Sequence, residues 1–120
     1  MADALHTIML HDIFSIAAQP ERVDWEPFRE GIEIYPIYKS EHGCSAALLR
    51  YAPGARAPMH EHLGYEHILV LTGEQNDERH AYAHGTLVIS PPGTSHSIYS
   101  EHGCVVLAIW EKPVSFLASP

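Results

Sequence analysis

The sequence is poor in basic residues, and it contains no long apolar run. Seven Lys and Arg residues stand against fifteen Asp and Glu residues, which gives a formal net charge of −8. Such a charge repels phosphate backbones and anionic membranes, so we expect neither a nucleic-acid nor a membrane partner. No segment approaches the roughly 20 apolar residues that span a bilayer, and the first residues lack the basic-then-apolar order of a signal peptide. We therefore expect a cytoplasmic protein.

Cysteine is scarce as well, since only Cys44 and Cys104 occur. Two cysteines are too few for a disulfide scaffold, and their separation does not match the close spacing of a thiolate zinc site. Each cysteine ends a copy of the same pentapeptide, Ser-Glu-His-Gly-Cys, at residues 40–44 and 100–104. Two buried thiols are expected, with a disulfide between the two copies as the alternative. The histidines of both copies are expected to be solvated turn residues.

The remaining composition is that of one globular domain. The chain has 120 residues, of which 46% are hydrophobic, enough to bury a core. Weak helical spacing ends at Pro20, so we predict an N-terminal arm or short helix over residues 1–24. A single domain is predicted over residues 25–120.

Short apolar segments with turn residues between them dominate this domain. Residues 31–38 alternate in polarity and are rich in β-branched and aromatic types, and Pro36 places this strand at a sheet edge. Four more such segments follow, at residues 46–51, 66–71, 86–89 and 105–110. No segment after residue 25 has a long amphipathic helical pattern. An all-β sandwich or barrel is predicted.

Histidine is abundant, and five of the ten histidines lie between His60 and His84. His60 and His62 are two residues apart, so an extended strand directs both imidazoles to one face. Glu66 follows four residues later and can return to that face through a turn. Imidazoles with one carboxylate suit a divalent transition metal. A surface turn rich in His and Glu is the alternative on spacing alone.

A second segment, residues 85–96, runs from a turn glycine through an apolar strand to a Pro-Gly turn. Pro92 and Gly93 fit the two central positions of a type II turn, in which glycine supplies the positive φ. This turn leads His96 onto the next strand. His96 is therefore a candidate fourth ligand from a second strand.

These two segments resemble the two motifs of the cupin superfamily. The matching residues of the first motif are Gly54, His60, His62, Glu66 and Gly73, and those of the second are Gly85, Pro91, Gly93 and His96. Ser100 stands where the second motif has asparagine, a position that is more structural than metal-binding. The resemblance implies a small double-stranded β-helix, or jelly roll, in which His60, His62, Glu66 and His96 bind one divalent metal ion.

The residues around the motifs, 62–77 and 91–104, resemble more particularly the cupin domain of the ChrR anti-sigma factors. In that family the cupin domain follows a helical zinc-binding domain, whose H-x3-C-x2-C ligand set does not occur in this sequence. Stand-alone relatives include small non-haem iron dioxygenases that act on diketones and similar carbonyl compounds. The resemblance also implies a homodimer and a small-molecule ligand or substrate.

Three function classes follow from these residues and this resemblance. The first is a metal-dependent dioxygenase acting on a small carbonyl or diketone compound. The second is a zinc-binding regulatory or sensor protein, and the third, ranked lowest, is a metal-free sugar epimerase or isomerase. The ligand set accepts iron, zinc, manganese or nickel, so the sequence leaves both the metal and the choice between enzyme and sensor open.

Neighbouring residues are given smaller roles. Tyr65 is expected at the surface, with a hydrogen bond to a metal-bound water as the alternative. Strand alternation turns His67 away from the ligands. His80 and His84 share a strand face, and a solvated face is favoured over a second metal site.

Overall fold

The structure, a computed structural model, describes residues 6–117. Within these residues strands dominate and one short α-helix precedes them, which confirms the predicted all-β class. The elements are α1 (Ile13–Ala18), a 3-10 turn (Pro20–Arg22), β1 (Glu26–Arg29), β2 (Ile32–Lys39), β3 (Ser45–Tyr51), β4 (Arg56–Glu61), β5 (Glu66–Asn76), β6 (Ala81–Ala83), β7 (Leu87–Ser90), β8 (Ser95–Tyr99), β9 (Cys104–Trp110) and β10 (Ser115–Phe116).

The strands form two curved antiparallel sheets that share β5. The first sheet has the order β1-β2-β3-β9-β5-β7. In the second sheet, the C-terminal part of β5 pairs with β6 and β8, and β8 continues to β4 and β10. The two sheets curl toward each other around one interior, which confirms the predicted jelly-roll architecture.

Gly73 lies where β5 passes from the first sheet to the second. The β5–β9 register shifts between Val70 and Thr72, and Gly73 then has φ +74°. A Cβ at this position would overlap the carbonyl oxygen of Gly103 and would lie 2.9 Å from the Cα of Cys104. Only glycine fits such a position without a shift of backbone, so the last glycine of the first motif is explained by packing.

The central strands of the first sheet, β3 and β9, are buried on both faces. In β3, Leu49 packs in the interior with Val70 and Val106, whereas its neighbour Leu48 packs on the outer face. The outer face is covered by α1, which contributes Ile16 and Ala17. This double burial explains why β3 and β9 are continuous apolar runs rather than alternating ones.

The helix α1 lies inside the predicted N-terminal arm and ends before Pro20, because proline cannot continue the hydrogen-bonding pattern. Its apolar side packs against the first sheet. The division of the chain at residue 24 stays a prediction. Among residues 6–117, no helix has the length and apolar character needed to cross a membrane.

Pro36 occupies a local edge of the first sheet. On one side β2 pairs with β3 along its length, with a register shift between Pro36 and Tyr38. On the other side β1 pairs only with Ile32, Glu33 and Ile34. Within the described residues Pro36 therefore faces no ladder partner on that side, and its missing N–H leaves no gap in the sheet.

Both cysteines are free thiols, Cys104 buried and Cys44 half-buried. Cys104 begins β9 opposite Tyr51, whereas Cys44 immediately precedes Ser45, which faces Trp110 at the other end of the same pair of strands. The two ends are about 20 Å apart at roughly 3.3 Å per residue. This distance is too large for the disulfide considered as an alternative.

Candidate metal centre

The structure brings His60, His62, Glu66 and His96 together at one end of the interior. His60 lies on β4, His62 directly after it, Glu66 at the first position of β5 and His96 on β8. One nitrogen or carboxylate oxygen from each residue lies within 4.8 Å of the others. Three of the four residues are buried, and His96 is half-buried. The convergence inferred from their spacing is therefore observed.

The turn after β7 joins the end of β4 to the start of β8, the two strands whose ends carry the histidines. Gly93 has φ +92°, and the backbone N–H of Thr94 donates to the Pro91 carbonyl, which closes the predicted turn. The turn also exchanges backbone hydrogen bonds with His62, in which His62 N donates to Thr94 O and Gly93 N donates to His62 O, both at 2.9 Å. In the β4–β8 ladder, His60 lies directly opposite His96.

A short turn at Leu63–Gly64–Tyr65 returns the chain so that Glu66 faces the histidines. Glu111 holds this turn, because its Oε1 accepts from Tyr65 N at 2.9 Å and its own N–H donates to Tyr65 O at 2.9 Å. A Cβ on Gly64 would lie 2.8 Å from the same carboxylate oxygen. Sequence reasoning gave Glu111 no role, since it lies far along the chain from the motif.

The Nδ1 atoms of His60 and His62 each have a hydrogen-bond acceptor. His60 Nδ1 lies 2.9 Å from the Pro58 carbonyl oxygen, and His62 Nδ1 lies 2.9 Å from Thr94 Oγ1. Thr94 Oγ1 donates its own proton to Pro91 O at 2.7 Å and so accepts from the ring. Both rings therefore carry their proton on Nδ1, which leaves an Nε2 lone pair for the centre of the cluster.

His96 is oriented by Asp77, whose Oδ2 lies 3.5 Å from His96 Nδ1. Asp77 is itself fixed, because it accepts from the Tyr82 hydroxyl at 2.6 Å and from the backbone N–H groups of Arg79 and His80. Partial burial raises the pKa of Asp77, but these hydrogen bonds outweigh it and hold the pKa at about 2. Burial and the neighbouring carboxylate raise the pKa of Tyr82 to about 12. Asp77 thus stays ionised as an acceptor for the His96 ring.

The inward-facing nitrogens of His62 and His96 fit a bound cation. Within residues 6–117 neither Nε2 atom has a hydrogen-bond partner, although both are buried. They lie 3.1 Å and 3.9 Å from the same Glu66 oxygen, Oε1. Lone pairs that face a carboxylate oxygen repel it, and unpartnered buried polar atoms are costly. A divalent cation among these atoms would satisfy all of them, so the donor set is compatible with such an ion.

The protonation states of the cluster also favour a cation. Burial raises the pKa of Glu66, but the polar groups around the carboxylate outweigh it, among them Trp110 Nε1, which donates to Oε2 at 2.7 Å, so this pKa is lowered. Burial lowers the pKa values of His60 and His96. At neutral pH the site therefore offers the Glu66 carboxylate and the neutral imidazoles of His60 and His96, the forms that bind metals.

Trp110 and Asp77 are the partners that sequence reasoning missed. Trp110 faces Glu66 in the β5–β9 register, and no local pattern around either residue reveals this pairing. Asp77 reaches His96 because β5 extends to Asn76, five residues beyond the strand end predicted from the apolar run. Strand alternation correctly placed His67 outside the cluster.

Two cavities adjoin the cluster. A small interior cavity of about 50 Å³ touches His60 and Glu66 and is otherwise lined mainly by apolar side chains. A cleft of about 330 Å³ touches His96, Asp77 and Met59. Tyr65 lies elsewhere, 46% exposed and stacked on His67.

The sequence matches the family described as the ChrR cupin-like domain over residues 15–114. No curated protein matches the chain. A chain in the structure of Rhodobacter sphaeroides SigE in complex with the anti-sigma ChrR is similar, with 23% identity, 92% of this chain and 72% of that chain covered, and a TM-score of 0.69.

Two further solved structures are similar. The acetylacetone dioxygenase from Acinetobacter johnsonii shares 14% identity over 95% of this chain and 78% of that chain, with a TM-score of 0.77. A Ralstonia eutropha protein with a cupin-like fold shares 20% identity over 74% of this chain, which spans 60% of its length, with a TM-score of 0.69. At these identities the likeness establishes the fold alone.

Proposed function

The chain belongs to the ChrR cupin-like domain family, and from this membership we propose that it is a metal-dependent dioxygenase acting on a small carbonyl or diketone compound. His60, His62, Glu66 and His96 are proposed to hold one divalent metal ion. The observation that carries the proposal is the pair of buried, unpartnered Nε2 atoms directed at the Glu66 carboxylate.

A bound iron ion would supply Lewis acidity and one-electron chemistry toward dioxygen. The chain supplies the rest of the site. Trp110 holds the Glu66 carboxylate through Oε2, so that Oε1 stays directed at the histidines. Pro58 and Thr94 fix the tautomers of His60 and His62. The site is therefore organised by residues behind the ligands, as in other metal centres.

The proposed substrate class rests on the interior cavity and on one of the similar folds. The cavity beside His60 and Glu66 is lined largely by apolar side chains such as Leu49, Ile68 and Ile98. This lining suits a small compound without charged groups. The acetylacetone dioxygenase of Acinetobacter johnsonii has the same fold and, by its name, acts on a diketone.

The metal proposal is tested by stripping untagged protein of metal, reloading it anaerobically with ferrous iron or zinc, and measuring bound metal after dialysis. About one ion per chain is expected. His60→Ala and His96→Ala are each expected to weaken retention by at least about tenfold, because each removes a ligand. His84→Ala, which changes an exposed histidine, is the matched control. Equal retention in all four proteins would contradict the proposed ligands.

The enzymatic proposal is tested by oxygen uptake of the iron-loaded protein with 2,4-pentanedione and with hydroxylated aryl ketones. Consumption of oxygen with at least one of them, lost in His96→Ala and retained in His84→Ala, is expected. Inertness of every compound toward protein that holds stoichiometric iron would overturn the dioxygenase assignment and leave the metal site standing.

A zinc-binding sensor is the second candidate, supported by the family and by the similar fold in the SigE–ChrR complex. Elemental analysis of untagged protein distinguishes the two, since iron favours the dioxygenase and stoichiometric zinc the sensor. A sensor is expected to capture a partner from a panel of purified sigma factors in the zinc-loaded form only. Equal capture by the metal-free protein would count against it.

We also propose that the protein is a cytoplasmic homodimer. The outer edge of the first sheet supports the dimer, because β7 exposes Leu87 and Ile89 and pairs with β5 alone among the described strands. Such an edge is favourable for association. Light scattering coupled to gel filtration is expected to give twice the chain mass, and a monomer across the working concentration range would refute the dimer.

A further inference from the structure

A wall of four side chains separates the interior cavity beside the metal cluster from an outer groove. The groove has a volume of about 370 Å³ and opens between the first sheet and the segment after β9. Both spaces are lined by the same four side chains, Phe28, Trp110, Val114 and Phe116. A ligand that lay in the groove would therefore meet the cluster once this wall opened.

The two spaces differ in what they can hold. Ligand sites for ordinary small molecules measure roughly 300–1,000 Å³. The groove falls in this range, and apart from Lys39 and Ser45 its side chains are apolar or aromatic, including Ile34, Pro36 and Tyr38. The interior cavity, at about 50 Å³, admits only a head group of a few atoms. The pair is suited to a ligand with a small polar head and a longer apolar tail.

Phe116 is the side chain of the wall that lies against a histidine of the cluster. It lies on β10, a strand of two residues that pairs with β4 and places Phe116 opposite His60. Its ring centroid is 5.5 Å from that of His60, and the Arg29 guanidinium carbon lies 3.6 Å from the same centroid. The side chain is 38% exposed. Phe116 thus lies between the groove and His60, and a cation–π contact with Arg29 holds its ring there.

The cleft of about 330 Å³ that touches His96 is less suited to deliver a ligand to the cluster. Of the four cluster residues it touches only His96. Its lining also includes Asp77, the acceptor for His96 Nδ1, so the cleft lies behind the ring rather than at Nε2. Charged side chains, among them Glu78 and Arg79, line it as well.

We propose that Phe116 is a specificity-determining gate between the groove and the metal cluster, and that the ligand has a small carbonyl-type head and an apolar tail. The head lies beside His60 and Glu66, and the tail lies in the groove. The inference rests on the proposed metal site, because the head is taken to bind the ion.

The tail is tested with n-alkyl hydroxamates, which share one metal-binding head and differ only in chain length. Zinc-loaded protein is titrated by calorimetry with acetohydroxamate, hexanohydroxamate and octanohydroxamate. Affinity is expected to rise by about threefold for each methylene that enters the groove, as expected for burial of apolar surface. Affinity that does not change with chain length would overturn the tail site.

The gate is tested by the ratio of benzohydroxamate to acetohydroxamate affinity. A phenyl ring attached directly to the head does not fit the interior cavity while Phe116 is in place. The ratio is expected to rise by about tenfold in Phe116→Ala and by a smaller factor in Arg29→Gln, which removes the guanidinium from the ring. Leu117→Ala, an exposed neighbour that lines neither space, should keep the wild-type ratio. An unchanged ratio in Phe116→Ala would overturn the gate.

Failure of the metal site is distinguishable from failure of the groove. If the wild-type protein retains no zinc, the proposed function fails, and the chain-length series is then read on the metal-free protein. Octanohydroxamate that still binds more tightly than acetohydroxamate supports the groove. Equal binding of the two compounds to the metal-free protein overturns it.

Discussion

The pentapeptide Ser-Glu-His-Gly-Cys lies in two opposite environments. At residues 40–44 it forms the turn between β2 and β3, where Ser40 Oγ accepts from the backbone N–H groups of His42 and Cys44. At residues 100–104 it connects β8 in one sheet with β9 in the other. There Ser100 is fully buried, and its Oγ donates to the Glu74 carbonyl at 2.6 Å.

The difference arises from where the following strand lies. The first copy stands at the tip of a hairpin, so its polar groups are satisfied within the turn. The second copy crosses between sheets, and its backbone bonds to the chain before β4, through Gly54 N to Ser100 O at 2.7 Å and Ser100 N to Ala55 O at 3.1 Å. Identical residues thus serve as a surface turn in one place and as a core support in the other.

The two copies are expected to differ most in the stability that is lost when the glycine of each copy is replaced by alanine. Both have positive φ, +98° at Gly43 and +91° at Gly103. A Cβ at Gly103 would lie 3.0 Å from the Tyr51 carbonyl oxygen, whereas at Gly43 the nearest atom is 3.4 Å away, on Pro113. Gly103→Ala should lower the free energy of unfolding by about 3 kcal/mol and Gly43→Ala by about 1 kcal/mol. Urea denaturation measures the free energy of unfolding of both variants. Equal losses in the two would contradict the proposed difference between the copies.

Thiol reactivity should separate the copies next. Burial raises the pKa of Cys104 to about 11, and its residue is 5% exposed, whereas Cys44 is half-buried. The thiolate is the reactive form, so iodoacetamide at pH 8 should modify Cys44 at least about 100-fold faster than Cys104. Mass spectrometry of the folded protein measures the rates, with urea-unfolded protein as the control in which the two rates converge. Comparable rates in the folded protein would contradict the assigned burial.

Replacement of the serines is expected to have a smaller effect. Ser100→Ala leaves the buried Glu74 carbonyl without its donor and should cost about 2 kcal/mol. Ser40→Ala removes an acceptor from a solvated turn, where water replaces it, and should cost less than about 1 kcal/mol. Thermal and urea denaturation of the two variants measure the difference. A Ser40→Ala loss as large as that of Ser100→Ala would mean that burial does not distinguish the copies.

The smallest expected effect is a loss of stability in alkali. The pKa of Cys104 rises from 9.0 to about 11 on folding, so its thiol stays protonated in the folded chain after it ionises in the unfolded chain. The contribution of the Cys104 thiol to the free energy of unfolding is fully present below pH 9 and is lost as the pH rises toward 11. The loss amounts to about 1.4 kcal/mol by pH 10. Cys104→Ala should flatten this part of the pH profile relative to Cys44→Ala. Identical profiles of the two variants would exclude the contribution.

Local patterns predicted much of this molecule. His60, His62 and Glu66 lie within seven residues, and Pro92-Gly93 positions His96, so the cluster of these four residues was accessible to sequence reasoning. Trp110 and Glu111 were not, because they reach the site through pairings 44 and 46 residues apart. The end of β5 was also missed, since its last residues are polar although Gln75 and Asn76 are buried. These contacts and the end of β5 depend on strand register and tertiary burial, which the periodicity of the sequence does not reveal.

The position of β5 in both sheets has a consequence for the order of folding. Its pairings with β9 and β8 close long loops, and such contacts form late because loop closure must precede them. His96 reaches the other three ligands only when β8 has docked on β4. A metal ion would thus meet its full set of ligands after most of the barrel has assembled. Bound metal is therefore expected to slow unfolding far more than it accelerates folding.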